Sequence, residues 1–182
     1  MKYEIRKKTV EDVLAGIADQ EFFKWLETSG FYEKPAGEKH HGAYEGGLVD
    51  HSIQVASELI TLTKKLNLSW RRLESPAVVG VLHDICKIDD YKIEKNKNAD
   101  GRSSNVITYN QQKAWPGHGE KSLIILMGRI ELTEEEKICI RYHMGAFTDQ
   151  KEWEFYSRAM RKYPNVLYTH TADMIASQIK GI

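Results

Sequence analysis

Apolar residues return at helical spacing through most of the chain, and the breaks in that spacing divide it into segments. Thr9 followed by Asp12 resembles a capping signal and predicts a first helix through Val13, Leu14 and Ile17. Phe22, Phe23, Trp25 and Leu26 predict a second, short helix that stops at Gly30. Residues 31–47 carry Pro35, Gly37, Gly42, Gly46 and Gly47 and read as loop. Leu48 to about Leu66 predicts a long helix. Ser75-Pro76 supplies an N-cap and a first-turn proline for a nearly all-apolar segment, Ala77 to Ile88. A helix apolar on almost every side belongs at the centre. Further helices are expected at 119–130, at 134–145 behind a Thr133/Glu136 capping box, at about 149–162 and at 165–180. Trp153, Phe155, Tyr163 and Tyr168 are expected in the core. Between Asp89 and about Gln112 the pattern changes: Tyr91-Lys-Ile-Glu-Lys and Val106-Ile-Thr-Tyr flank a polar turn with Asp100-Gly101, as in a β-hairpin. The prediction is an all-α fold, one domain over 1–182, with a small hairpin inserted at about residues 89–112. Residues 1–39 read as an N-terminal helical extension and 40–182 as the core.

Composition narrows the function classes. Hydrophobic residues make up 41% and charged residues 29%, ordinary for a globular protein. No apolar run approaches the roughly 20 residues of a bilayer span, and Met1-Lys-Tyr-Glu-Ile lacks the apolar core of a secretory signal. Cys86 and Cys139 cannot build a disulfide framework and read as buried thiols of a cytoplasmic protein. The 26 basic and 26 acidic residues cancel, which argues against a dedicated DNA-binding factor but leaves room for a nucleotide or short single strand held by a few cations.

Seven histidines then stand out: His40, His41, His51, His83, His118, His143 and His170. Asp84 is the sharpest anomaly, because it follows Val78-Val-Gly-Val-Leu-His in the segment expected to be most buried. A buried carboxylate beside a buried imidazole costs several kcal/mol unless paired or metal-bound. Coordination removes that cost. His83 and Asp84 point about 100° apart on a regular helix, so other elements must complete a shell; His51 and Asp173 are suitable donors. Such a set suits Mn, Fe, Co, Ni or Zn. No cysteine cluster supports a zinc knuckle.

The segments His40-His-Gly-Ala-Tyr-Glu-Gly-Gly-Leu-Val-Asp-His51, Val81-Leu-His-Asp-Ile-Cys-Lys87 and Thr171-Ala-Asp-Met-Ile-Ala-Ser177 resemble the HD-domain phosphohydrolase superfamily, whose pattern is His…His-Asp…Asp. The likeness runs from about residue 40 to 180, and the first segment is especially similar to HD-domain 3′–5′ exoribonucleases. The resemblance implies an HD-type helical bundle in which His51, His83, Asp84 and Asp173 ligate a first metal. It also implies a second metal at His118 and His143, with Asp84 bridging the two ions and a shared hydroxide between them. Two positions depart from the family: Cys86 stands where Gly is common, and Met144 interrupts the His-His pair of some dinuclear branches.

On that basis the expected activity is metal-dependent hydrolysis of a phosphoester: a nucleotide, a cyclic nucleotide or a short single-stranded nucleic acid. Asp84 and Lys87 are the expected catalytic residues. Lys87, His41 and Lys121 are the expected substrate contacts, Lys87 as a point charge for phosphate. His40 and His41 lie in a Gly-rich loop, where a substrate-facing and a surface role are both open; His170 is open between second shell, core and surface. Lys92, Lys95, Lys97 and Arg102 read as a solvated hairpin or as a guide for a phosphate-bearing substrate. The same ligand set suits a di-iron oxygenase, which is the alternative. Walker-type and Gly-x-Ser-x-Gly motifs are absent, as is an oligonucleotide-binding module ahead of the helices, which favours a small phosphoester over a processive nuclease.

Overall fold

The structure, a computed structural model, describes residues 1–39, 41–97 and 103–182. His40, the Asp100-Gly101 turn and Arg102 lie outside the described residues, as do the side chains of Lys95 and Lys97. Helix α1 (Tyr3–Val13) begins well before Thr9, so the expected start at Thr9 is corrected. The Thr9 hydroxyl donates to the Ile5 carbonyl one turn back, at 2.8 Å, an alternative that a mid-helix hydroxyl has to capping. Helix α2 (Gln20–Thr28) is capped by Asp19, whose carboxylate accepts from the Phe22 N–H at 2.8 Å, and Gly30 follows in the left-handed region at φ +79°.

Helix α3 (Gly47–Leu66) is the long helix of the sequence. Its start needs both glycines: Gly46 has φ +78°, and a Cβ on Gly47 would lie 1.9 Å from the Gly42 carbonyl oxygen. Helix α4 (Ser75–Leu82) makes the most extensive helix pair of the fold with α3. The two cross so closely that a Cβ on Gly80 would lie 2.3 Å from the Ala56 Cα. Ser75 is not the N-cap. Glu74 occupies that position, and the Ser75 hydroxyl donates to buried Glu136 at 2.8 Å.

The central apolar segment does not run as one helix to Ile88. After Leu82 the backbone bonds shorten to three-residue turns, from Ile85 to the Leu82 carbonyl, Lys87 to Asp84 and Ile88 to Ile85, and α5 (Lys87–Asp90) ends the segment. Three residues per turn stack positions i and i+3, which sets Lys87 over Asp84. Strands β1 (Tyr91–Lys97) and β2 (Ser103–Tyr109) then pair antiparallel, Tyr91 opposite Tyr109, as the expected hairpin.

Helices α6 (Gly119–Leu126), α7 (Glu134–Arg141), α8 (Trp153–Lys162) and α9 (Asn165–Met174) complete the fold, α9 widening into a π-helical turn over Ile175–Ile179. The Thr133/Glu136 capping box is present in full. Val10, Leu26 and Phe31 join Leu59, Leu82, Ile140 and Val166 in one buried cluster, so residues 1–39 share the core. The ion pair of Arg6 with Asp50, at 2.9 and 2.7 Å, ties α1 to α3. Trp153 and Phe155 are corrections: they are 46% and 55% exposed, because α8 lies at the edge and turns Ala159 inward. Tyr163 is buried and Tyr168 packs half-buried against the core. Among the described residues no helix is long and apolar enough to cross a membrane.

Candidate metal centre

The close α3–α4 crossing, the end of α9, the start of α6 and the turn after α7 bring five side chains together around Asp84. Its Oδ2 lies 3.8 Å from His51 Nε2 and 3.5 Å from His83 Nε2. Its Oδ1 lies 3.3 Å from His143 Nε2 and 3.4 Å from His118 Nδ1. Asp173 Oδ1 is 3.2 Å from His51 Nε2. His51 and His83 therefore meet one oxygen of Asp84 while His118 and His143 meet the other. His143 also comes within reach of His83 and Asp173. These buried His and Asp groups can hold a metal ion.

The ring hydrogens decide how strongly the cluster calls for a cation. His51 Nδ1 lies 2.8 Å from the Ile182 main-chain oxygen, His83 Nδ1 2.8 Å from that of Gly80 and His143 Nδ1 2.8 Å from that of Ile140. A main-chain oxygen only accepts, so each Nδ1 carries the hydrogen and, in a neutral ring, each Nε2 presents a lone pair. All three Nε2 atoms are buried with no hydrogen-bond partner among the described residues. Orphaned acceptors aimed at carboxylate oxygens are unfavourable in a dry site, and a backbone-anchored Nδ1–H is the usual support of a metal-binding Nε2. The donor set thus fits a divalent transition metal.

The electrostatics agree that positive charge is in demand. Burial alone would raise the Asp84 pKa, but Lys87, His83, His118 and His143 outweigh it and hold the carboxyl well below its ordinary range. Burial alone would suppress charge on His83, yet Asp84 overrides it and raises its pKa. His118 is likewise raised, chiefly by its bond to Asp84. Asp173 is depressed: burial pushes the other way, and His51 and His83 prevail. Lys87 supplies one permanent cation, its Nζ 2.7 Å from Asp84 Oδ2.

A cavity of about 390 Å³ opens over this cluster, reached by Asp84, Asp173, Lys87, His118 and His41. The His41 ring lies 5.4 Å from that of His51, and burial, helped by Lys87, pushes its pKa down to about 4. Neutral His41 is therefore a hydrogen-bonding group at neutral pH. Lys121 is a correction: it is 1% exposed, and its Nζ sits 2.7 Å from both Asp89 and Asp90, away from the cavity. With Lys113, 3.2 Å from Asp90, that cation is the structural partner of two adjacent carboxylates of α5, one of them fully buried. His170 Nδ1 bonds the His143 carbonyl at 2.9 Å and lines the cavity, and Lys92 is exposed on the hairpin.

No family model, curated protein or solved structure matches this chain. Sequence reasoning missed several residues of that cavity: Lys39, Tyr91, Met144, Phe147 and Met174. Two of them carried a usable signal. Met144 follows His143 directly, and Met174 follows Asp173.

Proposed function

We propose that the chain is a metal-dependent phosphoester hydrolase of the HD-domain type, acting on a nucleotide-like substrate. The observation that carries this reading is the set of three buried, backbone-anchored imidazoles whose orphaned Nε2 atoms face both oxygens of Asp84 and the carboxylate of Asp173. His51, His83, Asp84 and Asp173 would hold one divalent ion, and His118 and His143, with the far oxygen of Asp84, a second. Such ions supply Lewis acidity and lower the pKa of a coordinated water towards neutrality. The chain's own contribution is to hold the ligands in one tautomer, to bury them from bulk water and to present cations to an anionic substrate. Lys87, kept charged by Asp84 against its burial, would neutralise phosphoryl charge, and His41 would hydrogen-bond a phosphate or sugar oxygen. A di-iron oxygenase would use the same ligands, but two lysines, Lys39 and Lys87, beside the cluster suit an anionic substrate better.

The test is metal analysis of the purified protein, followed by anaerobic and aerobic assays on nucleotides, cyclic nucleotides and short oligonucleotides with Mn, Co, Ni and Mg. Turnover without oxygen is expected. A product that forms only with iron and oxygen would replace this reading with the oxygenase, and Lys87→Ala with full activity would remove the phosphate role of Lys87.

A further inference from the structure

Phe147 is the most exposed large apolar side chain at the cavity, with 70% of its surface in water. The turn that carries it is built rather than loose. Gly145, at φ +56°, packs so closely on His170 that an added Cβ would lie 2.4 Å from that ring. His170 in turn donates to the His143 carbonyl, and its ring meets Phe147 edge-on at 6.3 Å between centroids. An aromatic ring held outward on a braced turn keeps an apolar face open that a flat partner can cover.

Phe147, Met144 and His118 are common to two adjoining cavities. The first, over Asp84, carries Lys39 and Lys87. The second, of about 320 Å³, is lined by the carboxylates of Glu120, Asp149 and Glu152. Its Arg141 is already engaged by Glu120 and Glu152. The first also carries Glu38, Asp84 and Asp173, so it would take a phosphate with divalent ions held at Asp84 and Asp173, whereas the carboxylates of the second repel one.

We infer that Phe147 and Met144 form a stacking platform for the ring of a nucleotide-sized substrate whose single phosphoryl group lies over Asp84, and that the acidic cavity beyond rejects a second phosphate. This rests on the hydrolase reading above and narrows it to mononucleotide-sized phosphoesters over oligonucleotides. Stacking of a base on an aromatic side chain is worth at least about fivefold in affinity.

The test is equilibrium binding of adenosine 5′-monophosphate, ribose 5-phosphate and a 5′-phosphorylated diadenylate to the purified metal-loaded protein, with ligand integrity checked after each titration. Wild type is expected to bind adenosine 5′-monophosphate at least about fivefold tighter than ribose 5-phosphate, and no more weakly than the dinucleotide. Phe147→Ala is expected to lose that advantage while keeping its ribose 5-phosphate affinity, metal content and melting temperature, since the side chain lies mostly in solvent. Equal affinity of wild type for the first two ligands, an advantage that survives Phe147→Ala, or a dinucleotide bound tightest would overturn the inference, as would no binding of any of the three. Metal content and p-nitrophenyl phosphate turnover of the same sample report on the hydrolase reading separately.

Discussion

Gly80→Ala tests whether the close α3–α4 crossing is what assembles the site. The added Cβ would lie 2.3 Å from the Ala56 Cα and 2.5 Å from its backbone nitrogen, about 1.1 Å short of the 3.4 Å at which ordinary contact begins. Backbone atoms cannot rotate away, so the helices must part, and overpacking of this kind costs up to about 3 kcal/mol. Alanine returns about 1 kcal/mol of helix propensity. The net loss of roughly 2 kcal/mol corresponds to a fall in melting temperature of about 4–8 °C for a chain of this size. Because α3 carries His51, and the Gly80 carbonyl anchors His83 Nδ1 at 2.8 Å, metal retention should fall as well. Thermal melts of both proteins in metal-free and metal-loaded form measure the two effects. Ala56→Gly in the same chain should not rescue the variant, since main-chain atoms are the closest obstacle. A Gly80→Ala protein that melts at or above wild type, or one that Ala56→Gly restores, would refute the reasoning.

Lys121→Ala should destabilise the chain by about 2 kcal/mol, since buried Asp90 keeps only Lys113 at 3.2 Å, while leaving KM for a phosphoester unchanged, as urea unfolding and steady-state kinetics would show; a raised KM at unchanged stability would restore Lys121 to the substrate. Asp50→Asn leaves the Arg6 guanidinium, bonded at 2.9 and 2.7 Å, without its counter-charge, and should cost about 3 kcal/mol at pH 7. Burial alone would raise the Asp50 pKa, but Arg6 and Tyr44 hold it down. Its contribution is therefore complete above the ordinary carboxylate range and is lost as pH falls through the depressed value, so the gap between wild type and Asp50→Asn in urea titrations should close below about pH 4. A gap that widened on acidification would contradict that assignment.

Much of the fold was legible because its elements carry local signals. The α3 helix lies between Gly46-Gly47 and Asn67, α7 announces itself by the Thr133/Glu136 box, and the hairpin follows from its alternating strands. What was not legible depends on tertiary partners. Nothing in Ala77 to Ile88 signals the shortening after Leu82, because the apolar run suits either helix. The burial of Lys121 is set by Asp89 and Asp90, and Thr9 and Ser75 are cap-like residues whose hydroxyls donate to Ile5 and Glu136 instead of accepting from a helix N–H. At the site, the six residues that the motif resemblance pointed to lie together, and Asp84 stood out by itself because a carboxylate inside an apolar segment needs a partner. The rim formed by Met144, Phe147 and Met174 was not legible, because which apolar side chains border a cavity is set by tertiary packing.

The most direct test of the account is titration of metal-free protein with Mn²⁺ or Zn²⁺, with bound metal counted per chain. Wild type should bind up to two ions, His118→Ala one tight ion, and Asp84→Ala none, with phosphoesterase activity following occupancy. A wild-type chain that takes up no metal, or an Asp84→Ala variant that binds as much as wild type, would contradict the central claim.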